Sequence, residues 1–355
     1  MDVSSGNPKY QGCTCPAPRA PTEHLARLPS SRYNLPMTEK LPLKTDMTFA
    51  YGEAAEMVPG VQRLVANNPG PFTFKGTNTY LVGQKTLTVI DPGPVDGAHL
   101  AAILEAANGR PIATIVITHT HKDHVEGLAA LRAATGAKSA GFGRAAALMS
   151  GGDHPTPTGA EFVFPDFAPD IVIRHGDRIE GIDHALVALH TPGHAPDHLC
   201  FALEGFPAAA LFSGDHVMAW NTSVVAPPEG HMAAYLASLE LLIGRPETVY
   251  LPGHGGRLAD PQRMVRAFLL HRRWREQAIL AAIRSGRNGS PAAVGTSTTI
   301  RKIVPVVYPE LDAHLLTAAT LSVQAHVEHL MERGLVSMTD PGPSSGPWDR
   351  ALTAA

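Results

Sequence analysis

The pattern of apolar and polar positions changes character twice along the chain. Residues 1–45 are rich in Pro, Ser and charge and show no periodicity, so they read as a disordered or loosely attached extension. From about residue 58 short β-rich runs take over. TNTYLVG (77–83) and TLTVID (86–91), joined through Gly-Gln-Lys, predict a hairpin, and DPGP (91–94) a turn. AHLAAILEAANG (98–109) carries apolar residues at helical spacing and stops on Asn-Gly. A strand over 112–118 and a helix over GLAALRAATG (127–136) follow. Further strands are expected at 137–142, 185–191, 198–203, 208–214 and 247–255, with a helix over 231–244. Hairpins mixed with strand–helix units indicate a layered α/β architecture over 46–260. From 261 the pattern is helical in three stretches and ends in a strand-like LVSM (335–338), which suggests a small helical module of winged-helix type over 261–340. Residues 341–355 read as a flexible tail.

Composition narrows the class. A chain of 355 residues exceeds the usual single domain and leaves room for a large core plus one smaller module. The formal charge of −3 gives no overall field that would attract nucleic acid. No run approaches the roughly 18 apolar residues that span a membrane, and the N-terminus shows no charged start followed by an apolar segment. Cys13, Cys15 and Cys200 make no disulfide framework. The plain reading is a cytoplasmic enzyme. Residues 144–170 form a Gly/Pro-rich insertion, either a lid or a surface loop.

Chemistry concentrates at strand ends. THTHKDH (118–124) puts three histidines and an aspartate directly after the apolar ATIVI (113–117). HTPGHAPDH (190–198), SGDH (213–216) and LPGHG (251–255) repeat the arrangement, each after an apolar run and each with glycine. Imidazole and carboxylate groups suit zinc or a related divalent ion. Such an ion would offset the repulsion and desolvation that the cluster otherwise suffers. A lone His-x-His occurs by chance, but His-x-His-x-Asp-His with three ordered signals downstream does not read as accident. His190, His198 and His216 adjoin these motifs and are assigned supporting roles; His99, His154, His175, His184, His231 and His271 are scattered.

On these motifs residues 58–256 resemble the metallo-β-lactamase superfamily of metal-dependent hydrolases. The resemblance implies a four-layer αββα sandwich with two divalent metal ions, Zn2+ first among them, at one edge. It implies that His119, His121 and His194 bind one ion, that Asp123, His124 and His254 bind the second, and that Asp215 bridges both. A water or hydroxide between the ions would be the nucleophile, with Asp123 and Asp215 as the catalytic carboxylates. Asp91, in VIDPGP, is expected to support the metal loop. Members with a diiron redox site usually carry glutamate where His121 stands, and true class B β-lactamases lack the bridging aspartate. NPGPFTFKGTNTYLVG (68–83), GDHVMAWNTSVVAPPEG (214–230) and HRRWREQAIL (271–280) look closer still to the β-lactamase-like protein 2 group, which includes single-strand-specific endoribonucleases.

The first substrate expectation is therefore a phosphodiester of single-stranded RNA. A local charge supports it: residues 257–302 hold ten Lys or Arg against Asp260 and Glu276, a net of +8. The competing view is a solvated helix face whose acids come from elsewhere in the fold. Trp220 and Ser223, with Asn221 and Thr222, are candidates to line the cleft, and Asn78 and Thr79 to contact substrate from the facing hairpin. The alternative function is a thioesterase or small-ester hydrolase of glyoxalase II type. β-Lactamase activity, and a non-catalytic nucleic-acid-binding role, rank below both.

Overall fold

Residues 41–143, 164, 167–285, 297–339, 346 and 348–355 are described by the structure, a computed structural model. Two sheets form the centre. The first holds seven strands in sequence order: β1 (Ala55–Val58), β2 (Val61–Val65), β3 (Asn78–Val82), β4 (Leu87–Ile90), β5 (Ile112–Val116), β6 (Lys138–Gly141) and β7 (Ile171–Val172). The predicted hairpin is the antiparallel β3/β4 pair, with Tyr80 opposite Ile90, and the sheet turns parallel from β4 onward. The second sheet is built from β8 (Arg178–Glu180), β9 (Ala185–His190), β10 (Leu199–Glu204), β11 (Ala210–Gly214) and β12 (Val249–Pro252), in reverse order across the sheet.

Side-chain alternation explains why the sheets stack. Along β10, Leu199, Phe201 and Leu203 meet Tyr80, Val82 and Ile90 of the first sheet in a shared core. Cys200 and Ala202 face the other way, into a core with α4 (Met232–Leu242) and the start of α5 (Pro261–Arg284). On the first sheet Leu81, Leu87 and Val89 turn outward and pack with Ala102 and Ile103 of α1 (Gly97–Ala107) and Leu131 of α3 (Leu128–Thr135). Between them α2 (Lys122–Val125) is a single turn. The result is helix, sheet, sheet, helix, because both sheets are buried on both faces. Helix α1 stops as its Asn-Gly predicts: Asn108 takes the left-handed conformation at φ 48°.

The C-terminal module contains the second half of α5, α6 (Ile300–Val307), α7 (Leu316–Glu332) and a hairpin of β13 (Val336–Thr339) with β14 (Ala351–Ala354). Its core joins Ile279 and Ile283 to Ile303, Val304, Val323, Val327 and Leu352. Helix α5 belongs to both parts, since Met264, Val265, Phe268 and Leu269 pack under the second sheet. The expected division at 260/261 is thus the Asp260 cap of a shared helix, not a break in the packing.

Two boundaries need correction. Residues 348–355 are not a free tail: Leu352 is fully buried, exchanges backbone hydrogen bonds with Thr298, and sits in the β13/β14 hairpin. Four residues of alternating pattern were too few to announce a strand. At the other end Leu41 packs on the second-sheet core and the Lys44 amide donates to Ala219 O at 2.8 Å, so 41–45 is docked. Residues 1–40 and most of the 144–170 insertion lie outside the described residues. No helix among the described residues is long and apolar enough to cross a membrane.

Candidate metal centre

Strand β5 ends at Val116, and the chain turns at once into the histidine motif. The turn is held by Asp91, just past β4. Its backbone is forced to φ 52°, uncommon for a residue with a side chain. The constraint is compensated by bonds. Asp91 Oδ1 accepts the Thr118 amide at 2.8 Å, and Oδ2 accepts the Thr118 hydroxyl at 2.7 Å. Asp91 Oδ2 also lies 2.8 Å from His124 Nδ1. A carboxylate there fixes the ring with its other nitrogen turned inward, the supporting role assigned to Asp91 in the sequence.

The same division of labour repeats around the centre. His119 places Nδ1 3.0 Å from the Thr118 hydroxyl, and His194 places Nδ1 2.6 Å from Val224 O. His254 Nδ1 lies 3.2 Å from Gly76 O. His121 is reversed: Nε2 meets Glu229 Oε2 at 3.1 Å and Nδ1 points inward. The inward nitrogens of His119, His121 and His194 converge, with His119 Nε2 and His194 Nε2 each 3.0 Å from His121 Nδ1. On the other side His124 Nε2 and His254 Nε2 stand 3.3 Å apart, and Asp123 Oδ2 lies 3.4 and 3.3 Å from them. Asp215 stands between the sets: Oδ2 is 3.7 Å from His194 Nε2 and 3.3 Å from His254 Nε2, while Oδ1 is 3.6 Å from His124 Nε2.

These distances fit a cation. Nitrogens bound to one tetrahedral zinc at ~2.0–2.1 Å lie about 3.3 Å from each other, close to the spacing here. The outer nitrogen of each imidazole already has a partner, so the inward lone pairs of each set are left to face one another. Asp215 Oδ1 is buried without a hydrogen-bond donor. The ligand atoms form three compact groups, His119–His121–His194, His119–His124–Asp215 and Asp123–His124–His254.

The electrostatics agree. Burial, then the charges of His124, His121 and His194, push the His119 imidazole far below its ordinary value. Burial and His121 lower His194 to about 4. On the second side burial again opposes charge, but Asp123, Asp215 and Asp91 outweigh it and lift His124 to about 9. For Asp215 burial favours the neutral acid, yet His254 and His124 hold the carboxyl well below its usual range. His119 and His194 are thereby held neutral beside an anionic carboxylate, the kind of donors a divalent ion takes. At His121 burial is outweighed by Glu229, Asp123 and Asp215, which raise the imidazole above its ordinary value.

The substrate candidates fare differently. Asn78 is fully buried, and its amide donates to Pro252 O at 2.8 Å and Gly255 O at 2.9 Å, so it secures the His254 loop and cannot reach a substrate. Thr79 is also buried, bonded to Asp91 O at 2.6 Å. Ser223 is buried, and its carbonyl accepts from Arg272. Trp220 is half-buried, with one face stacked on Phe74 at 4.9 Å. The neighbouring histidines support: His198 Nε2 accepts the Asp215 amide at 3.1 Å, His216 packs its edge on Tyr235, and His190 bonds Pro196 O.

Sequence reasoning missed Glu229 and Thr77, whose hydroxyl donates to Asp123 Oδ2 at 2.8 Å. Glu229 lies 108 positions from its histidine, and only a fold brings them together. It missed Asp197 as well, whose buried carboxyl is pushed up to about 6 by desolvation, against the pull of Thr120 and His121. Glycine 253 has a steric duty: a Cβ there would lie 2.5 Å from Asp215 Oδ1 and 2.7 Å from His124 Cε1.

Known proteins share this fold or match this sequence. A β-lactamase domain protein from Burkholderia ambifaria has the same fold, with a TM-score of 0.67 at 22% identity over 87% of this chain and 96% of its own. An atrochrysone carboxyl ACP thioesterase of Passalora fulva is 30% identical over 267 residues, 71% of this chain and 70% of that protein. A beta-lactamase-like protein 2 homolog of Drosophila melanogaster is 30% identical over 301 residues, 78% of this chain and 92% of that protein. Residues 299–348 match the beta-lactamase associated winged helix domain. Residues 72–254 match the metallo-beta-lactamase superfamily, and with that match over half its length the chain belongs to this superfamily of hydrolases.

Proposed function

We propose that this hydrolase cleaves a thioester, an acyl group carried on a thiol, at a pair of zinc ions. His119, His121 and His194 would hold one ion, Asp123, His124 and His254 the other, and Asp215 both. Bound ions of this kind polarise a carbonyl oxygen and lower the pKa of water towards ~7. The chain's own groups hold the donors in place: Asp91, Glu229, Val224 O and Gly76 O each grip the outer nitrogen of one histidine.

One observation carries the choice of substrate: six of the ten basic residues of the run that spoke for RNA are engaged in contacts within the protein. Arg272 and Arg275 turn inward, to Ser223 O and Val307 O. Arg273 pairs with Glu240 and Arg301 with Asp349, acids from outside the run. Arg257 and Arg266 bond carbonyls of Met57 and Gln262. What borders the centre instead is aromatic. Trp220 lies against Gly255, the residue after His254, and stacks on Phe74, and exposed Phe164 is anchored by its amide to Thr120 O. Apolar surface beside the ions suits an acyl chain better than a polyanion. The relative named as a carrier-protein thioesterase points the same way.

The test pairs two substrates. Zinc-loaded protein and Asp215→Ala are given an acyl thioester, read by release of free thiol, and end-labelled single-stranded RNA. Thiol release by the parent alone supports the reading. RNA cleavage lost in Asp215→Ala, without thiol release, would transfer the site to phosphodiesters.

A further inference from the structure

The loop between Asp215 and α4 is gripped from two sides at consecutive residues. Val224 O faces inward and holds His194 Nδ1 at 2.6 Å. Ser223 O faces α5 and accepts a hydrogen bond from Arg272 Nη2. Arg272 is itself buried, at 4% exposure. Its other terminal nitrogen lies 3.4 Å from the Ser322 hydroxyl on α7, in the C-terminal module. Its guanidinium also lies 5.3 Å from the Tyr235 ring. Tyr235 backs the same ligand: a Cβ on Gly193 would lie 2.3 Å from Tyr235 Cα, so α4 packs directly on the residue before His194. One arginine therefore touches the strap behind His194, the helix behind Gly193, and the C-terminal module.

We propose that Arg272 is a positioning residue that ties His194 to the C-terminal module, so that the module sets the ion affinity of the His119–His121–His194 group. This rests on the reading of that group as a metal site. The physical reason is the carbonyl: His194 keeps Nε2 aimed inward only while Val224 O stays fixed, and residue 223 is the next peptide along. A planar fork holds Ser223 O and Ser322 at once, which a single ammonium cannot do. A second link runs in parallel at the surface. His231, whose amide donates to Gly193 O at 2.9 Å, places Nε2 2.8 Å from Glu332 on α7. The exposed pair is weak in water, and the buried arginine is the stiffer tie.

The experiment uses full-length Arg272→Met and Arg272→Lys. Zinc affinity is read by competition with a chromophoric chelator, and the geometry of each site by the visible spectrum of the cobalt-substituted protein. The thermal midpoint of the metal-stripped protein is followed separately. Arg272→Met should weaken one of the two ions by about tenfold to a hundredfold, the usual cost of losing an outer partner, and should alter one cobalt band set only. Arg272→Lys should fall severalfold and decides the matter if the methionine variant does not fold. Parent-like zinc affinities and cobalt spectra in either folded variant, whatever the midpoint, would overturn the proposal and leave Arg272 as packing. A parent chain that binds no ion would instead bring down the metal-site reading and this inference with it.

Discussion

Two stretches of this chain concentrate charge in sequence, and the fold treats them in opposite ways. The histidines and aspartate of 118–124 converge with His194, Asp215 and His254 into adjoining compact groups. The basic residues of 257–302 scatter to the core, to two domains' surfaces and to separate acids. The difference is geometric. A strand-end loop presents neighbouring side chains to one side, with glycines letting the next loop approach. A 24-residue helix turns each successive side chain about 100° further round the axis, so a run of arginines points everywhere. Sequence density of charge is evidence for a site where the chain ends a strand, and weak evidence along a helix.

The first way to break this comparison is at its convergent end. Asp215→Ala, or stripping the ions with a chelator, should lower the hydrolytic rate by a factor on the order of 10²–10³ or more, and zinc should restore the stripped parent only. Steady-state kinetics on a thioester check it. Restored activity in Asp215→Ala would show that the two histidine sets work apart. Gly253→Ala sharpens the same end. A methyl group 2.5 Å from Asp215 Oδ1 must displace it, and ion affinity should fall about tenfold or more by chelator competition.

At the dispersed end Arg275→Ala should cost about 1.5–3 kcal/mol in denaturant unfolding, since it removes a charged donor from Val307 O and a cation from the Tyr308 ring at 4.1 Å. Arg273→Ala and Arg301→Ala break exposed pairs and should each cost about 0.2–1 kcal/mol, with thioester turnover unchanged. A large loss of turnover there would mean that these arginines contact substrate after all. The smallest effect is a pH dependence. Burial raises the Glu276 carboxyl, but His329, at 2.7 Å, and Arg333 outweigh it and hold it below its ordinary value. Its stabilisation is therefore complete above the unfolded carboxyl's pKa of about 4.3 and fades as the pH falls through and below that value. Thermal midpoints measured from pH 6 to pH 3 should show a shallower acid decline in Glu276→Gln than in the parent.

Asp91 and Asn78 show how far sequence reading reached. Both sit at the ends of predicted hairpin strands. Asp91 was expected to support the metal loop through the family resemblance, against a plain turn-forming aspartate, and its carboxylate lies 2.8 Å from His124 Nδ1. Asn78 was misread as a substrate contact, because a polar residue at a strand start looks available until the loop at 252–255 folds over it. Glu229 and Thr77 lie inside the quoted stretches 214–230 and 68–83, but nothing in those stretches pairs them with His121 or Asp123, which they meet only in the fold.

The sequence by itself determined the layered α/β class, through short apolar runs such as ALVALH (185–190) and LCFALE (199–204) between helical stretches, and the strand-end position of each candidate ligand, through motifs a few residues long. Both are local properties, written in adjacent side chains. Tertiary structure alone decided which nitrogen of each histidine faces inward, which arginines reach solvent, and that α5 serves two cores. Most of those outcomes depend on distant partners, such as Val224 O on His194, 30 positions away, and Glu229 on His121, 108 away, while His119 alone of the ligand histidines takes its outer partner from a neighbour, Thr118; no local pattern encodes a contact that only packing creates.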